Sequence, residues 1–187
     1  MAAITKVSCT ITFLEMREPP SLPVTSPSTK PSLALLRVEE PTVSFYRYLY
    51  NTVGEKWLWF ERRMMSDKRL AAIVQDPQVE VWVLYRGGQP AGFFELDLRD
   101  LAAKQVVDLA YFGLLPAFIG HKLGPYLLDC ALKRAWSQDP KRVTVNTNSL
   151  DHPRALPLYQ RFGFRPIRRE ERLFDDPRMT GVIPRKE

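Results

Sequence analysis

The sequence has few of the residues that build metal sites and disulfide frameworks. Its 187 residues include only two cysteines, Cys9 and Cys130, and two histidines, His121 and His152. Cys9 lies in a strand-like segment and Cys130 in a helical one, so both are expected to be small buried side chains. We therefore predict no disulfide and no metal cofactor.

Long apolar runs are also missing. No stretch approaches the roughly 18 consecutive apolar residues of a membrane-spanning helix, and the N-terminal segment lacks the charged start and apolar block of a secretory signal peptide. Internal repeats and low-complexity tracts are absent as well. These absences argue against a membrane protein or a repeat array, and they predict a cytoplasmic protein with no membrane partner.

What is present suffices for one globular domain. Hydrophobic residues make up 45% and aromatic residues 11% of the chain, which allows a sizeable core. We predict a single domain over residues 1–187. A Pro-rich segment at about 17–41 holds six of the sixteen prolines and is expected to be an irregular excursion within that domain.

The chain is basic, with a formal net charge of +6. Its last segment, 161–187, carries eight Lys or Arg against five acidic residues. A basic surface suits nucleic acid, but it also suits a smaller polyphosphate or plain solvation. Because no basic stripe with interleaved aromatics and no nucleic-acid-binding motif is present, a nucleic-acid-binding domain is the weaker alternative.

Hydrophobic periodicity predicts an α/β fold of the α+β type. Gly87-Gly88 between two strand-like segments indicates a hairpin, and a helical step between two later strands indicates a crossover with a parallel pair. The expected sheet is mixed and mostly antiparallel, with about six or seven strands flanked by helices. The predicted strands are 5–16, 79–86, 90–99, 104–115, 141–147 and one or two in 163–176; the predicted helices are 66–76, capped by Ser66 or Asp67, 120–137 and 153–162.

The loop before helix 120–137 predicts an anion site. A strand-like run ends at Pro116, a short loop carries Gly120 and Gly124, and an apolar helix follows. Glycines allow the backbone to approach a ligand closely, and the positive end of a helix favours negative charge.

The predicted order from residue 104 onward is strand, helix, strand, helix. Two segments in this region resemble motifs of the GNAT N-acetyltransferase superfamily. The resemblance extends over about residues 66–170. The first is the Leu114-Leu115-Pro116 step with the loop 119–124, similar to a hydrophobic-x-Pro step followed by Gln/Arg-x-x-Gly-x-Gly/Ala. Gly124 matches that pattern, while Ile119 and Lys122 depart from it.

The second segment, 152–164, is similar to the family's Asn-x-x-Ala-x-x-Leu-Tyr followed by Gly-Phe. His152 replaces the asparagine, and Pro157 lies inside the short predicted helix, where it is expected to remove a hydrogen bond or cause a kink. The matching residues are Ala155, Leu158, Tyr159, Gly163 and Phe164.

The resemblance implies direct transfer of an acetyl group from acetyl-CoA to a primary amine of a small molecule or peptide. It implies that Tyr159 protonates the departing CoA sulfur and that a backbone bulge at Gly113 polarises the thioester carbonyl. The protein is expected to be a monomer or a homodimer. The implied acetyl-CoA-binding residues are Phe112, Gly113, Leu114, Ile119, Gly120, His121, Lys122, Leu123, Gly124, Pro125 and Asn148, with Asn146 as an alternative to Asn148.

Two carboxylates are candidates for the base that takes a proton from the amine, Glu95 and Asp108. Asp108 matches the position at which histone-type members of the family carry their catalytic glutamate. If the hairpin turns at the centre of 100–103, Glu95 and Asp108 face each other across the strands, and one of the two pKa values rises. Pairing with an arginine or exposure to solvent are the alternatives.

The acceptor pocket is expected in the N-terminal half, with Trp57 and Trp59 beside Glu61. Aromatic rings near a carboxylate suit a cationic amine, although such rings also serve as core. A non-catalytic acyl-CoA-binding regulator on the same fold is a further alternative.

Overall fold

Seven strands form one sheet in the order β2-β3-β4-β5-β6-β1-β7. The computed structural model describes residues 5–22, 24, 27 and 31–185, and the element count refers to these residues. The mixed, mostly antiparallel sheet flanked by helices confirms the predicted fold class. The strands are β1 (Lys6–Met16), β2 (Leu33–Val38), β3 (Val79–Arg86), β4 (Gln89–Asp97), β5 (Val106–Leu114), β6 (Arg142–Asn148) and β7 (Arg165–Asp175). The helices are α1 (Val43–Gly54), α2 (Asp67–Val74), α3 (Leu101–Lys104), α4 (Leu123–Trp136) and α5 (Ala155–Arg161), with 3-10 turns at Glu55–Trp57 and Pro116–Phe118.

The helices lie on both faces of the sheet. Helices α1 and α2 pack on one face against side chains such as Phe93, and α4 packs on the other face against side chains such as Phe94. Successive residues of a strand point to opposite faces, so the two neighbouring phenylalanines anchor different cores. We call these the α1 face and the α4 face.

The predicted local signals are present. The β3–β4 hairpin turns through Gly87 and Gly88 with φ values of 57° and 81°, which suit glycine. Ser66 caps α2, because its hydroxyl accepts a hydrogen bond from the Arg69 N–H at 3.3 Å. Cys9 is buried, Cys130 is half-buried, and both thiols are free.

Strands β5 and β6 are joined by the crossover through α4 and separate part-way along their length. Their parallel pairing runs only from Val106 to Leu109, opposite 142–145. Beyond this point β5 stays paired with β4, and β6 stays paired with β1. The facing edges of β5 and β6 therefore diverge, and a cleft opens in the middle of the sheet.

The N-terminal strand β1 lies between β6 and β7 and is antiparallel to both. The sheet thus joins the first and last strands of the described chain beside the cleft. The 163–176 region forms the single strand β7 rather than two strands. No helix among the described residues is long and apolar enough to cross a membrane.

The expectation of an irregular segment at 17–41 is wrong in part, since Leu33–Val38 forms β2 and pairs with β3. The alternation of larger and smaller exposure along β2 fits an edge strand. Residues 23, 25, 26 and 28–30 of that segment lie outside the described residues, as do 186 and 187 of the basic tail.

The predicted register between β4 and β5 is also wrong. Glu95 lies opposite Tyr111, and Asp108 lies opposite Asp97. Two features shift the pairing: the connection contains the single helical turn α3, and Ala110 is an extra residue between the paired Leu109 and Tyr111.

The bulge of β5 is therefore at Ala110 and not at Gly113, which pairs regularly with Phe93. Gly113 is required for a different reason. A Cβ at this position would lie 2.4 Å from Cγ1 of Val53 in α1, so only glycine allows this close packing of helix on strand.

Candidate functional site

The separation of β5 and β6 leaves a cavity of about 750 Å³. Its walls include Tyr111 and Gly113, whose side-chain positions point to the α1 face, and Phe112 and Leu114, which point to the α4 face. The cavity therefore reaches both faces of the sheet, and each of its two mouths has its own chemistry.

The α4-face mouth is formed by the start of α4. Lys122 precedes the helix in the left-handed conformation, with φ 59°, and its side chain does not cap the helix. The first amides of α4, those of Leu123 and Gly124, are thus free of a side-chain cap and point their N–H groups outward. A Cβ at Gly120 would meet no atom within 4 Å, which leaves open space beside this backbone.

Three cations line this mouth without a partner. Lys122, Arg154 and Arg161 form no ion pair with any described residue. Arg154, Leu158 and Arg161 follow helical spacing along one face of α5, and a Cβ at Gly124 would lie 3.9 Å from Leu158. The arginines therefore border the start of α4, and together these groups favour a polyanionic ligand.

Tyr159 of α5 lines the same cavity and is 4% exposed. Its ring packs edge-on to Phe112 and Phe164, at centroid distances of 6.1 and 5.8 Å. Within the described chain its hydroxyl makes no hydrogen bond, although the ring is almost fully buried. Burial raises the pKa of Tyr159 well above its usual range, so the phenol is protonated at neutral pH.

Pro157 does not break α5. The helix begins at Ala155, so Pro157 is its third residue. An N–H in the first turn has no partner inside a helix, and its loss through proline removes no hydrogen bond. The expected kink is therefore absent.

The α1-face mouth is lined by aromatic side chains and held by the half-buried carboxylate of Asp151. Trp59 donates from Nε1 to Oδ1 of Asp151 at 3.0 Å. Oδ2 of Asp151 accepts the Thr147 hydroxyl at 2.8 Å and the Asn148 N–H at 2.9 Å. Asp151 thus ties the end of β6 to the segment that follows α1, a role that sequence reasoning missed.

Two further carboxylates at this mouth are paired with arginines of β7. Glu61 lies 3.3 Å from Nη1 of Arg172, and Glu170 pairs with Arg168. The Arg168 guanidinium lies over the ring of Phe13, at 3.9 Å from its centroid. The contribution of β7 and β1 to this wall was not expected from the sequence, because it depends on which strands are neighbours.

Glu95 does not line the cavity. Its carboxylate is fully buried, accepts the Tyr46 hydroxyl at 2.5 Å, and forms an ion pair with Arg62 at 2.5 Å. Burial raises the pKa of Glu95, while Arg62 and Tyr46 act against this shift. The Arg62 guanidinium lies 5.0 Å from the centre of the Tyr111 ring, so the ion pair supports a cavity wall from behind.

Asp108 lies one residue before Leu109, with which the cavity-lining part of β5 begins. Its Oδ1 accepts the Thr144 hydroxyl at 2.6 Å. Burial raises the pKa of Asp108 to about 6, so the carboxyl changes its charge close to neutral pH.

The two histidines lie differently. His121 is outside the cavity, with Nδ1 2.8 Å from Nη1 of Arg86. His152 lines the cavity and packs edge-on to Trp57 at 5.1 Å. Its Nδ1 accepts the Arg154 N–H at 3.1 Å, so the neutral ring carries its proton on Nε2, and burial lowers the pKa of His152.

The remaining residues expected at an acetyl-CoA site line the cavity, namely Phe112, Gly113, Leu114, Ile119, Gly120, Lys122, Leu123, Gly124, Pro125 and Asn148, and so do Trp57 and Trp59 of the expected pocket. The side-chain oxygen of Asn148 accepts the Leu150 N–H at 2.8 Å. Among the residues that the structure describes, no group of three or more His, Cys, Asp or Glu side chains is arranged to hold a metal ion.

Comparison with protein families gives a match to the acetyltransferase (GNAT) family over residues 43–164. Comparison with curated proteins gives no match.

Solved structures show the same fold at low sequence identity. A conserved protein of unknown function from Staphylococcus epidermidis is 15% identical with a TM-score of 0.61, over 91% of this chain and 63% of its own. A GCN5-related N-acetyltransferase from Kribbella flavida is 16% identical with a TM-score of 0.59, over 93% and 60%. An aminoglycoside acetyltransferase from a soil metagenomic sample, in complex with sisomicin, is 12% identical with a TM-score of 0.58, over 73% and 90%. The chain thus spans about three fifths of the first two proteins.

Proposed function

Because the chain belongs to the acetyltransferase (GNAT) family, we propose that it transfers an acetyl group from acetyl-CoA directly to a primary amine of a small molecule or peptide. The observation that carries the proposal is the α4-face mouth of the cleft. There, the uncapped start of α4 and the unpaired cations Lys122, Arg154 and Arg161 surround open space. Three positive charges beside free backbone N–H groups suit the pyrophosphate and 3′-phosphate of CoA.

The cleft itself suits the extended arm that joins the nucleotide to the thioester. The ladder between β5 and β6 ends at Leu109, so the inner edge of β5 from Ala110 to Leu114 does not pair with β6. A chain with amide groups is able to add to such an edge by backbone hydrogen bonds. Asn148 on the opposite wall has its amide NH₂ free of described partners and is positioned to contribute.

Acetyl-CoA, when bound, supplies the thioester whose acetyl carbon is attacked by the neutral amine. The C–N bond forms as the C–S bond breaks, and the amine loses a proton. Backbone N–H groups of β5 beside the Ala110 bulge are the proposed donors to the carbonyl oxygen. Tyr159 is the proposed donor of a proton to the departing sulfur, since its hydroxyl is protonated and not otherwise engaged.

Asp108 is the proposed base, acting through water, because it is not among the lining residues and lies one residue before Leu109, where the cavity-lining part of β5 begins. Its pKa of about 6 makes it an anion at physiological pH while leaving it basic enough to accept a proton. Glu95, the second candidate, has both oxygens engaged by Tyr46 and Arg62 and is the proposed positioning residue behind Tyr111.

The amine that a structural neighbour acetylates cannot be assigned to this chain from the shared fold. An identity of 12% to an aminoglycoside acetyltransferase shows a shared fold, and loops that differ between such proteins select the acceptor. An aminoglycoside is therefore one amine to be tested among others.

The proposal is tested by mixing the purified protein with acetyl-CoA and a panel of primary amines. Thiol release and the mass of the acetylated product are measured together. The account predicts amine-dependent thiol release with a product heavier by one acetyl group. Binding of acetyl-CoA without turnover of any amine would favour the alternative, an acyl-CoA-binding regulator. Absence of both binding and turnover would contradict the proposal.

A further inference from the structure

We propose that the acceptor is a monoamine with a flat apolar body, bound at the α1-face mouth of the cleft, and not a polycation. This inference rests on the proposed function, because it names the class of amine that the transferase uses. It is carried by two observations: the apolar lining of this mouth, and the engagement of every carboxylate that lines it.

The apolar lining comes from strands and loops far apart in the chain. Ile11 and Phe13 of β1 and the two tryptophans Trp57 and Trp59 are all half-buried and line the cavity, so part of each side chain is left open to a ligand. Trp59 is fixed by Tyr50 and Tyr111, with ring centroids 5.4 and 5.3 Å away. Burial of the apolar or aromatic part of a ligand against such a rigid aromatic wall favours binding.

Each carboxylate of the described lining already has partners. Glu61 faces Arg172 at 3.3 Å, and Glu170 pairs with Arg168. Asp151 accepts three hydrogen bonds, from Trp59, Thr147 and Asn148. Within the described lining, a second or third ammonium group would therefore have to share a carboxylate with the partner that this carboxylate already has.

The net charge around this mouth does not favour a polycation either. The three negative charges of Glu61, Glu170 and Asp151 are balanced by Arg172, Arg168 and Lys56, the last of which lies 5.4 Å from the centre of the Trp57 ring. A polyamine would have to displace these arginines or lie beside them. A monoamine that enters as the neutral base does not have to displace the arginines or lie beside them as a cation. Its binding energy comes from burial of its apolar part.

The test compares kcat/KM for three amines at saturating acetyl-CoA: 2-phenylethylamine, ethylamine and spermidine. Since burial of one aromatic ring is worth a factor of about ten or more, we expect 2-phenylethylamine to exceed ethylamine by at least this factor, with spermidine no better than ethylamine. Equal values for 2-phenylethylamine and ethylamine, or a higher value for spermidine, would overturn the inference and leave the proposed function intact. Turnover of no amine at all would overturn both.

A variant that changes one charge tests whether the paired carboxylates of this mouth determine the choice of amine. Arg172→Gln releases Glu61 to receive a second ammonium, so the spermidine to 2-phenylethylamine ratio of kcat/KM is expected to rise by about fivefold. Arg169→Gln is the matched control, because Arg169 is on the same strand, loses the same charge and points to the opposite face of the sheet. A ratio that moves equally in both variants, or in neither, would overturn the inference.

Discussion

Trp59 and Asp151, 92 positions apart in the sequence, are joined by a hydrogen bond of 3.0 Å between the indole Nε1 and Oδ1. The bond crosses from the segment after α1 to the end of β6, so it spans the cleft at its α1-face mouth. Because Oδ2 of Asp151 also binds Thr147 and Asn148 of β6, one carboxylate fixes the distance between the two walls.

Asp151→Asn is expected to loosen this connection. An amide NH₂ cannot accept the hydrogen bonds that one of the two oxygens now receives, so a donor is left without an acceptor at a cost of about 1–2 kcal/mol in the free energy of unfolding. KM for the amine should rise by a larger factor than KM for acetyl-CoA, because Trp59 belongs to the amine mouth. Asp175→Asn is the control, since Asp175 forms only an exposed pair with Lys6. Equal changes in both KM values would contradict the assigned role.

Lys122→Gly is expected to stabilise the protein and to weaken its binding of acetyl-CoA. Lys122 has φ 59°, a conformation that costs a residue with a Cβ about 1 kcal/mol and glycine almost nothing. The free energy of unfolding should therefore rise, while the Kd of acetyl-CoA should increase several-fold through loss of the cation. Denaturation in urea and calorimetry measure the two effects. Tighter binding by the glycine variant would show that Lys122 does not contact the ligand.

Asp108→Asn is expected to stabilise the protein at high pH only. The pKa of Asp108 is about 6 in the fold, above the usual value of about 3.9 in an unfolded chain, so the fold favours the neutral carboxyl. The stability from this preference is complete below pH about 4 and is lost as the pH rises through 6.

Asparagine keeps a carbonyl oxygen for the Thr144 hydroxyl and does not titrate. In urea denaturation the variant should gain about 2–3 kcal/mol relative to the wild type between pH 4 and pH 8. Its turnover should fall sharply at the same time, because the proposed base is lost. A stability difference that does not depend on pH would contradict a titrating, buried Asp108.

Tyr159→Phe is expected to lower kcat by a factor of about 10² with little change in the affinity for acetyl-CoA. The ring contacts with Phe112 and Phe164 are retained, and only the hydroxyl is removed. Rapid-quench measurement of acetyl transfer separates this effect from product release. Unchanged kcat would remove Tyr159 from the reaction and leave it a packing residue.

Local signals in the sequence predicted most of the fold. The glycine pair 87–88 specifies a hairpin, and Ser66 specifies a helix start, because each acts through its immediate neighbours. The register of β4 and β5 was not predictable in this way. It depends on a single turn of helix in the connection and on one unpaired residue, Ala110, and neither leaves a periodic pattern.

The candidate site was predictable where it follows the chain and not where it depends on long-range pairing. Tyr159 and the loop before α4 were identified from local patterns, and both line one cavity, apart from His121 of the loop. Glu170 and Arg172 reach the same cavity only because β1 lies between β6 and β7, an arrangement that no local pattern indicates.

The binding of acetyl-CoA in the cleft between β5 and β6 is the claim on which the other assignments depend. Its most direct test is a calorimetric titration of the protein with acetyl-CoA at physiological salt, beside ATP as a polyanion without the pantetheine arm. The account predicts a single site that binds acetyl-CoA clearly more tightly than ATP, and a loss of affinity when Arg154 and Arg161 are both changed to Gln. Equal binding of the two ligands would contradict it, because the cations would then attract phosphate without using the cleft.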